Sequence, residues 1–199
     1  MENNIFNQLA NQYDTNERKE LARIIVDAIR PELVDCKNKT LLDYGCGTGL
    51  VGLEFCSQVD RLFLMDSSAS MLEVVQEKIV QSKIENAEIV YDDFIKSSSN
   101  VRADFIIASL VLLHVPDVSR LLRGFYKALN PNGKLIIVDF DKNESVSHPN
   151  VHSGFTRDDI ESLLNDSGFH AVKIKTFYHG KRIFMNQDAS LFICTCSVC

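Results

Sequence analysis

The chain of 199 residues is 45% hydrophobic and 24% charged, an ordinary globular composition, long enough for one core that buries roughly 70% of the unfolded surface. Its net charge of -6 at pH 7 argues against a broad nucleic-acid or anionic-membrane surface, because such binding needs clustered Lys and Arg to displace the polyanion's counterions. No apolar run nears the ~20 residues that cross a bilayer, and the start MENNIFNQLANQ lacks the parts of a signal peptide, so a cytoplasmic protein with reduced cysteines is expected.

No repeat, low-complexity tract or linker divides the sequence, and a single domain over residues 1–199 is expected. In residues 16–30, Leu21, Ile24, Ile25, Ala28 and Ile29 fall at helical spacing, and Pro31 ends the helix. Apolar runs follow at residues 40–44 (TLLDY), 61–66 (RLFLMD), 87–91 (AEIVY), 103–110 (ADFIIASL) and 134–140 (KLIIVDF). Their near-continuous hydrophobicity predicts parallel strands buried on both faces. Helices are expected at residues 50–57, 69–82 and 117–129, the last closed by the turn NPNG. This alternation is the α/β pattern. Residues 170–180 and 188–198 are strand-like with no helix between them, which predicts an antiparallel hairpin.

The stretch LLDYGCGTGLVG, residues 41–52, sits between a buried strand and a helix, at the strand's carboxyl edge, where open α/β sheets bind ligands. Gly47, Gly49 and Gly52 form G-x-G-x-x-G, and Asp66 ends the next strand, as a ribose-binding acid would. Those features alone permit a nicotinamide or flavin nucleotide. Asp43 before the turn, the GCGTG spacing and the terminal hairpin point elsewhere.

LLDYGCGTG resembles motif I of the class I S-adenosylmethionine-dependent methyltransferases, and FLMDSSASML, VYDDF, ADFIIASLVLLHV and LNPNGKLIIVDF resemble the later motifs in order. The resemblance implies a Rossmann-like three-layer α/β sandwich, its seven-stranded sheet ordered 3-2-1-4-5-7-6 with strand 7 antiparallel. It implies S-adenosyl-L-methionine as cofactor, with S-adenosyl-L-homocysteine left after methyl transfer. Asp43 would orient the turn or meet the methionine amino group, and the backbone of Gly45, Gly47 and Gly49, with Cys46 and Thr48 between, would pass under the cofactor. Asp66, followed by Ser67 and Met71, would take both ribose hydroxyls, since a carboxylate offers a vicinal diol two acceptor oxygens. Asp93 with Phe94 is the preferred match to the adenine-contacting acid, and Asp92 the alternative. Ser109 and Leu110 would lie near the sulfonium, and Tyr13 in an N-terminal lid over residues 1–30. Gly52 would serve helix packing, and Cys46 is no nucleophile.

A catalytic base is sought among the histidines, since neutral imidazole accepts protons near pH 7. His114, in LVLLHVPD, would face the cleft or support its wall, and His152 would line an acceptor pocket formed by the loop at residues 139–155. Phe6, Phe140, His148 and Phe155 would complete that pocket. No metal site is expected. Pro149 makes a ligating helix around His148 and His152 improbable, Asp139 and Asp141 lack a third ligand, and Cys194 and Cys196 share one face of a core strand ahead of a frayed Cys199. With no recognition domain beyond the cofactor fold, the acceptor is expected to be a small molecule, with nucleic acid and membranes excluded as partners. A non-catalytic S-adenosylmethionine-binding domain or an NAD(P)-dependent oxidoreductase are the competing readings.

Overall fold

The structure is a computed structural model that describes residues 10–95 and 100–199, so Phe6 lies outside the described residues. The five apolar runs become strands β1 (Thr40–Tyr44), β2 (Arg61–Asp66), β3 (Ala87–Tyr91), β4 (Ala103–Ser109) and β5 (Leu129–Phe140). The C-terminal pair becomes β6 (His170–Phe184) and β7 (Gln187–Ser197). All seven join in one sheet, ordered β3-β2-β1-β4-β5-β7-β6. Strands β1 to β5 run parallel, while β7 is antiparallel to both β5 and β6, which is the expected Rossmann-like topology.

The central strands carry apolar side chains on both faces because both faces are covered. Leu41 and Leu42 of β1, Leu62 and Leu64 of β2, Ile106 and Ile107 of β4, and Ile136 and Ile137 of β5 are all fully buried. Each such side chain contributes about 1.5–3 kcal/mol of transfer free energy. The hairpin between β6 and β7 turns through Met185 and Asn186, whose φ angles of 49° and 61° give the left-handed pair that matches strand twist in a two-residue loop. Cys194 and Cys196 pack in the core of β7, and Cys199 lies exposed with its Sγ 3.7 Å from His170 Nδ1.

Among the described residues, four α-helices pack with the sheet: α1 (Asn16–Ile29), α2 (Ala69–Gln81), α3 (Val118–Ala128) and α4 (Arg157–Asp166). The hydroxyls of Thr15 and Ser68 and the carboxylate of Asp117 accept backbone amides at the starts of the first three, which satisfies donors the helix leaves unpaired. Helix α4 falls outside the expected elements. Its interior buries only Ile160 and Leu164, so its apolar stripe is thin, and a reciprocal capping box between Thr156 and Asp159 fixes its start.

Two further segments differ from expectation. Residues 50–57 do not form an α-helix, and a 3-10 helix spans Gly52–Gln58 instead, a form suited to short connectors headed by glycine. The NPNG turn is absorbed into β5, where Leu129 pairs with Ala103 before the register shifts to Phe105 against Lys134. Asn132 sits at φ 61° within that bulge, so the turn chemistry is present but inside a strand.

Candidate active site

The site forms where the strand order reverses, at the carboxyl ends of β1, β2 and β4. Strand β1 runs straight into the glycine turn, and the amides of Gly45 and Cys46 both donate to the Met65 carbonyl of β2, at 2.8 and 3.0 Å. Gly45 is pressed against β4's exit, since a Cβ there would lie 2.5 Å from Val111 Cγ2. Gly47 differs: at φ +54° it favours glycine, yet a Cβ would meet only Tyr13 Cε1, at 3.9 Å. A small cradle, with room for a methyl group before the Tyr13 ring edge is met, is thus left open at the turn.

Asp66 ends β2 below this cradle. Its Oδ2 accepts the Gly47 amide and its Oδ1 the Ser68 amide, both at 2.8 Å. Ser68 in turn caps α2 through Met71 N at 3.2 Å, so one carboxylate braces the turn and the helix start together. Burial pushes the Asp66 pKa up, and the Gly47, Ser68 and Ser67 amides pull it partly back. With about four lone-pair sites, the carboxylate retains acceptor capacity beyond these amides.

A cavity of about 420 Å³ opens over these groups. Tyr13, Gly45, Cys46, Gly47 and Thr48 form one part of its wall, and Asp66, Ser67 and Met71 another. Asp92, Asp93, Ser109, Leu110 and His114 complete the set that the sequence pointed to and the fold brings together. Leu110 holds φ 55°, a costly conformation for leucine, kept by its amide bond to Val138 at 2.8 Å. Burial raises the Cys46 thiol far above its ordinary pKa, which leaves it an inert wall residue. Burial, then the neighbouring His148 charge, hold His114 below its usual pKa.

Asp43, Gly49, Phe94 and His152 lie outside the cavity's lining. Asp43 is fully buried under the turn, and among the described residues neither of its oxygens makes a well-formed hydrogen bond. Phe94 stacks on Tyr44 with ring centroids 5.2 Å apart. His152 does not face the cleft: its Nε2–H donates to the Val115 carbonyl and its backbone N–H to the Leu113 carbonyl, each at 2.8 Å.

The loop at residues 139–155, expected to form an acceptor wall, supplies no lining residue to this cavity. This loop is folded on itself by backbone bonds from Lys142 to Phe155 and from Asn143 to Ser153, at 3.0 and 2.7 Å. Phe140 stacks on Phe184 with centroids 4.1 Å apart, Phe155 is buried beside His152, and His148 is exposed. Asp139 accepts Phe140 N at 2.8 Å and Leu113 N at 3.3 Å, and Asp141 accepts Thr176 Oγ1 at 2.9 Å, so both serve the loop's architecture. Leu21, Ala22 and Ile25 of α1, with Val111, Val115 and Pro116 after β4, line the cavity.

Sequence reasoning also missed Tyr44, whose hydroxyl donates to Asp93 Oδ1 at 2.8 Å, and Arg18, whose guanidinium lies 4.0 Å over the Tyr13 ring and donates to the Tyr13 carbonyl at 3.0 Å. Tyr44 directly precedes the glycine turn and Arg18 lies on the cavity face of α1, which are the signals that were available.

A sheet in this order, with a glycine turn after β1 and an acid closing β2, defines the Rossmann-like fold of S-adenosylmethionine-dependent methyltransferases. A family profile described as a methyltransferase domain matches residues 13–174, and the chain belongs to that family. It is 23% identical over 155 residues to an uncharacterized methyltransferase of Schizosaccharomyces pombe, covering 68% of this chain and 55% of that protein. It is 27% identical over 151 residues to phosphoethanolamine N-methyltransferase 3 of Arabidopsis thaliana, covering 71% of this chain and 31% of that protein. The chain therefore spans about half, or less, of the length of these curated relatives. Among solved structures, a SAM dependent methyltransferase from Aquifex aeolicus superposes with a TM-score of 0.76 at 18% identity, over 97% of this chain and 98% of that one. Phosphoethanolamine N-methyltransferase 2 of Haemonchus contortus, in complex with S-adenosyl-L-methionine, gives 0.73 at 14% identity, over 87% of this chain and 52% of that one. At such identities the likeness speaks for the fold.

Proposed function

We propose that the cavity binds S-adenosyl-L-methionine and that the chain transfers its methyl group to a small-molecule acceptor. The observation that carries this reading is the cavity of about 420 Å³ whose wall joins the bare backbone of Gly47, the Asp66 carboxylate and the Tyr13 ring. The donor set fits the cofactor: Asp66 for the ribose diol, Asp92 or Asp93 for the adenine amino group, and Met71 and Ile95 as apolar wall beside the base. Bound there, the cofactor supplies a sulfonium methyl open to in-line attack by an acceptor lone pair.

The chain's own residues do the rest by placement. The Asp66 bonds to Gly47 and Ser68 hold the carboxylate still before any ligand arrives, which lowers the ordering cost of binding. Leu21, Ala22, Ile25 and Val111 exclude water from the acceptor side, and His114 is the titratable group there able to take a proton while neutral. Holding an acceptor in line supplies effective molarities of about 10⁵ to 10⁸ M, so little base assistance is required. A cavity of about 420 Å³ lies in the range of small-molecule sites, which favours a small acceptor over a macromolecular one.

Calorimetry with S-adenosylhomocysteine and with NAD(H) tests the cofactor. Binding of the first alone is expected, with affinity falling roughly 10- to 150-fold in Asp66→Ala, from loss of a charged acceptor. Heat only from NAD(H) would refute the reading. Methyl-labelled S-adenosylmethionine in size-fractionated cell extract tests the acceptor: label confined to protein or nucleic-acid fractions would exclude a small molecule.

A further inference from the structure

Three residues far apart in sequence meet behind the glycine turn. Asp14, in the segment that leads into α1, accepts Thr48 Oγ1 at 2.5 Å through Oδ1 and Lys78 Nζ at 2.6 Å through Oδ2. Lys78, on α2, gives a second bond to the Thr48 carbonyl at 2.7 Å. The three residues thus close a small ring of hydrogen bonds that ties the N-terminal segment, the turn and α2 together. The Lys78 and Asp14 side chains are 29% and 23% exposed, so water screens the pair less than it screens an exposed one. Thr48 reaches the cavity, whereas Asp14 and Lys78 are not among the residues that line it.

What this ring fastens is the cover of the cavity. Tyr13 directly precedes Asp14, stands over Gly47, and is backed by Arg18 on its ring and on its carbonyl. Among the described residues, Tyr13 N reaches the Ala10 carbonyl at 3.2 Å, Thr15 N the Tyr13 carbonyl at 2.8 Å, and Ala10 is buried. Tyr13 lines the cavity, so lifting this segment would open the cavity on that side and part both Asp14 bonds. Thr48 explains itself in the same way, because its buried hydroxyl is committed to Asp14.

We infer that Asp14, Thr48 and Lys78 form a clasp that holds the N-terminal cover shut, with Asp14 and Lys78 as positioning residues that set ligand residence time without touching the ligand. The inference rests on the cavity's being the S-adenosylmethionine site. It is tested in the full chain with Asp14→Asn, Lys78→Met and the double variant, by amide exchange over residues 13–19 and by association and dissociation rates of S-adenosylhomocysteine. Exchange at Tyr13, Thr15 and Arg18 is expected to quicken about tenfold, with the β4 and β5 amides unchanged, and dissociation to quicken about tenfold with association little altered. The double variant is expected to be no worse than the more affected single one, since both cut the same bond. Lys78→Arg is expected to restore slow dissociation. Unchanged exchange at residues 13–19, or an affinity loss confined to the association rate, would overturn the clasp. If the wild-type chain binds no S-adenosylhomocysteine, the cofactor reading fails, and the exchange measurement by itself decides whether the clasp holds.

Discussion

The phenol of Tyr44, at the last position of β1, donates to Asp93 Oδ1 at 2.8 Å and so couples one strand end to the loop after β3. The same oxygen accepts the Ile95 amide at 2.9 Å, which leaves the carboxylate with a fixed orientation at the cavity wall. Burial, then the charge of Asp93, push the Tyr44 pKa upward, so the phenol stays a donor throughout the physiological range. Its ring is also held, stacked on Phe94 and edge-on to Phe125 with centroids 5.2 and 5.0 Å away.

Tyr44→Phe keeps those ring contacts and removes one donor. The expected outcome is a stability loss of about 1.5 kcal/mol, typical of a bond to a charged acceptor. Affinity for S-adenosylhomocysteine should fall about tenfold, because Asp93 loses its orientation. Urea melts and calorimetry on the same preparation check both, and unchanged affinity would remove Asp93 from the ligand's surroundings.

Tyr44 also marks where sequence reading stops. Strands β1 to β4 were legible to within a residue because central strands bury both faces and leave unbroken apolar runs such as RLFLMD. Helix α4 was not, since RDDIESLLND has a narrow apolar stripe, and its real signal was the Thr156 to Asp159 spacing of a capping box. At the site, Gly47 and Asp66 were legible as a local motif across a known strand and turn. Tyr44 to Asp93, Asp14 to Lys78 and the infolded loop around Phe140 and His152 depend on contacts 49, 64 and 37 residues apart, which periodicity does not encode. An aromatic-rich loop reads as a pocket wall until Phe184 is seen to cover Phe140.

The two outer glycines of the motif should separate ligand binding from stability. Alanine at Gly47 clears every atom but the Tyr13 ring edge, and its φ of +54° costs about 1–2 kcal/mol. It fills the cradle, so affinity for S-adenosylhomocysteine should fall by more than about 30-fold, the result of losing roughly 2 kcal/mol of contact. Alanine at Gly52 meets the Asp43 carboxylate and lies 2.8 Å from Leu64 Cδ2, both part of the buried floor. Overpacking of that kind costs about 1–3 kcal/mol or more, so Gly52→Ala should lower the melting temperature more than Gly47→Ala does.

His114 lines the cavity, and burial, then the His148 charge, hold its pKa below the ordinary value. A base of this kind loses activity only as pH falls through its depressed pKa, so methyl transfer should stay level from pH 8 down past 6.5 and drop below that. His114→Gln should lower kcat by about 10²-fold or more if the imidazole takes the acceptor's proton, and should abolish the acid limb. A change confined to KM, with the acid limb intact, would assign His114 to the wall alone. His152→Ala, which breaks the tie to Val115, should act through stability instead.

Asp43 and Asp139 give the fold a pH dependence of defined sign. Both are fully buried, and burial pushes each pKa up to about 7; the Gly52 amide pulls Asp43 partly back, as do those of Phe140, Leu113 and Leu112 for Asp139. In the unfolded chain these carboxyls lose their protons near 3.9, so between about pH 4 and pH 7 the folded chain binds more protons than the unfolded one. Unfolding free energy therefore falls as pH rises through that window, by up to about 1.4 kcal/mol per pH unit for each acid, and levels off above 7. Asn at position 43 does not titrate and removes one share of that slope. The stability of Asp43→Asn relative to wild type should thus improve by about 2–3 kcal/mol between pH 5 and pH 8, read from urea melts at both. Asp139→Asn should start lower, since an amide replaces one of the oxygens that hold Phe140 and Leu113, and should close its deficit over the same range. A difference from wild type that stays constant from pH 5 to pH 8 in both variants would mean that these carboxyls titrate as exposed ones do, and that the floor beneath the glycine turn is wetter than its packing implies.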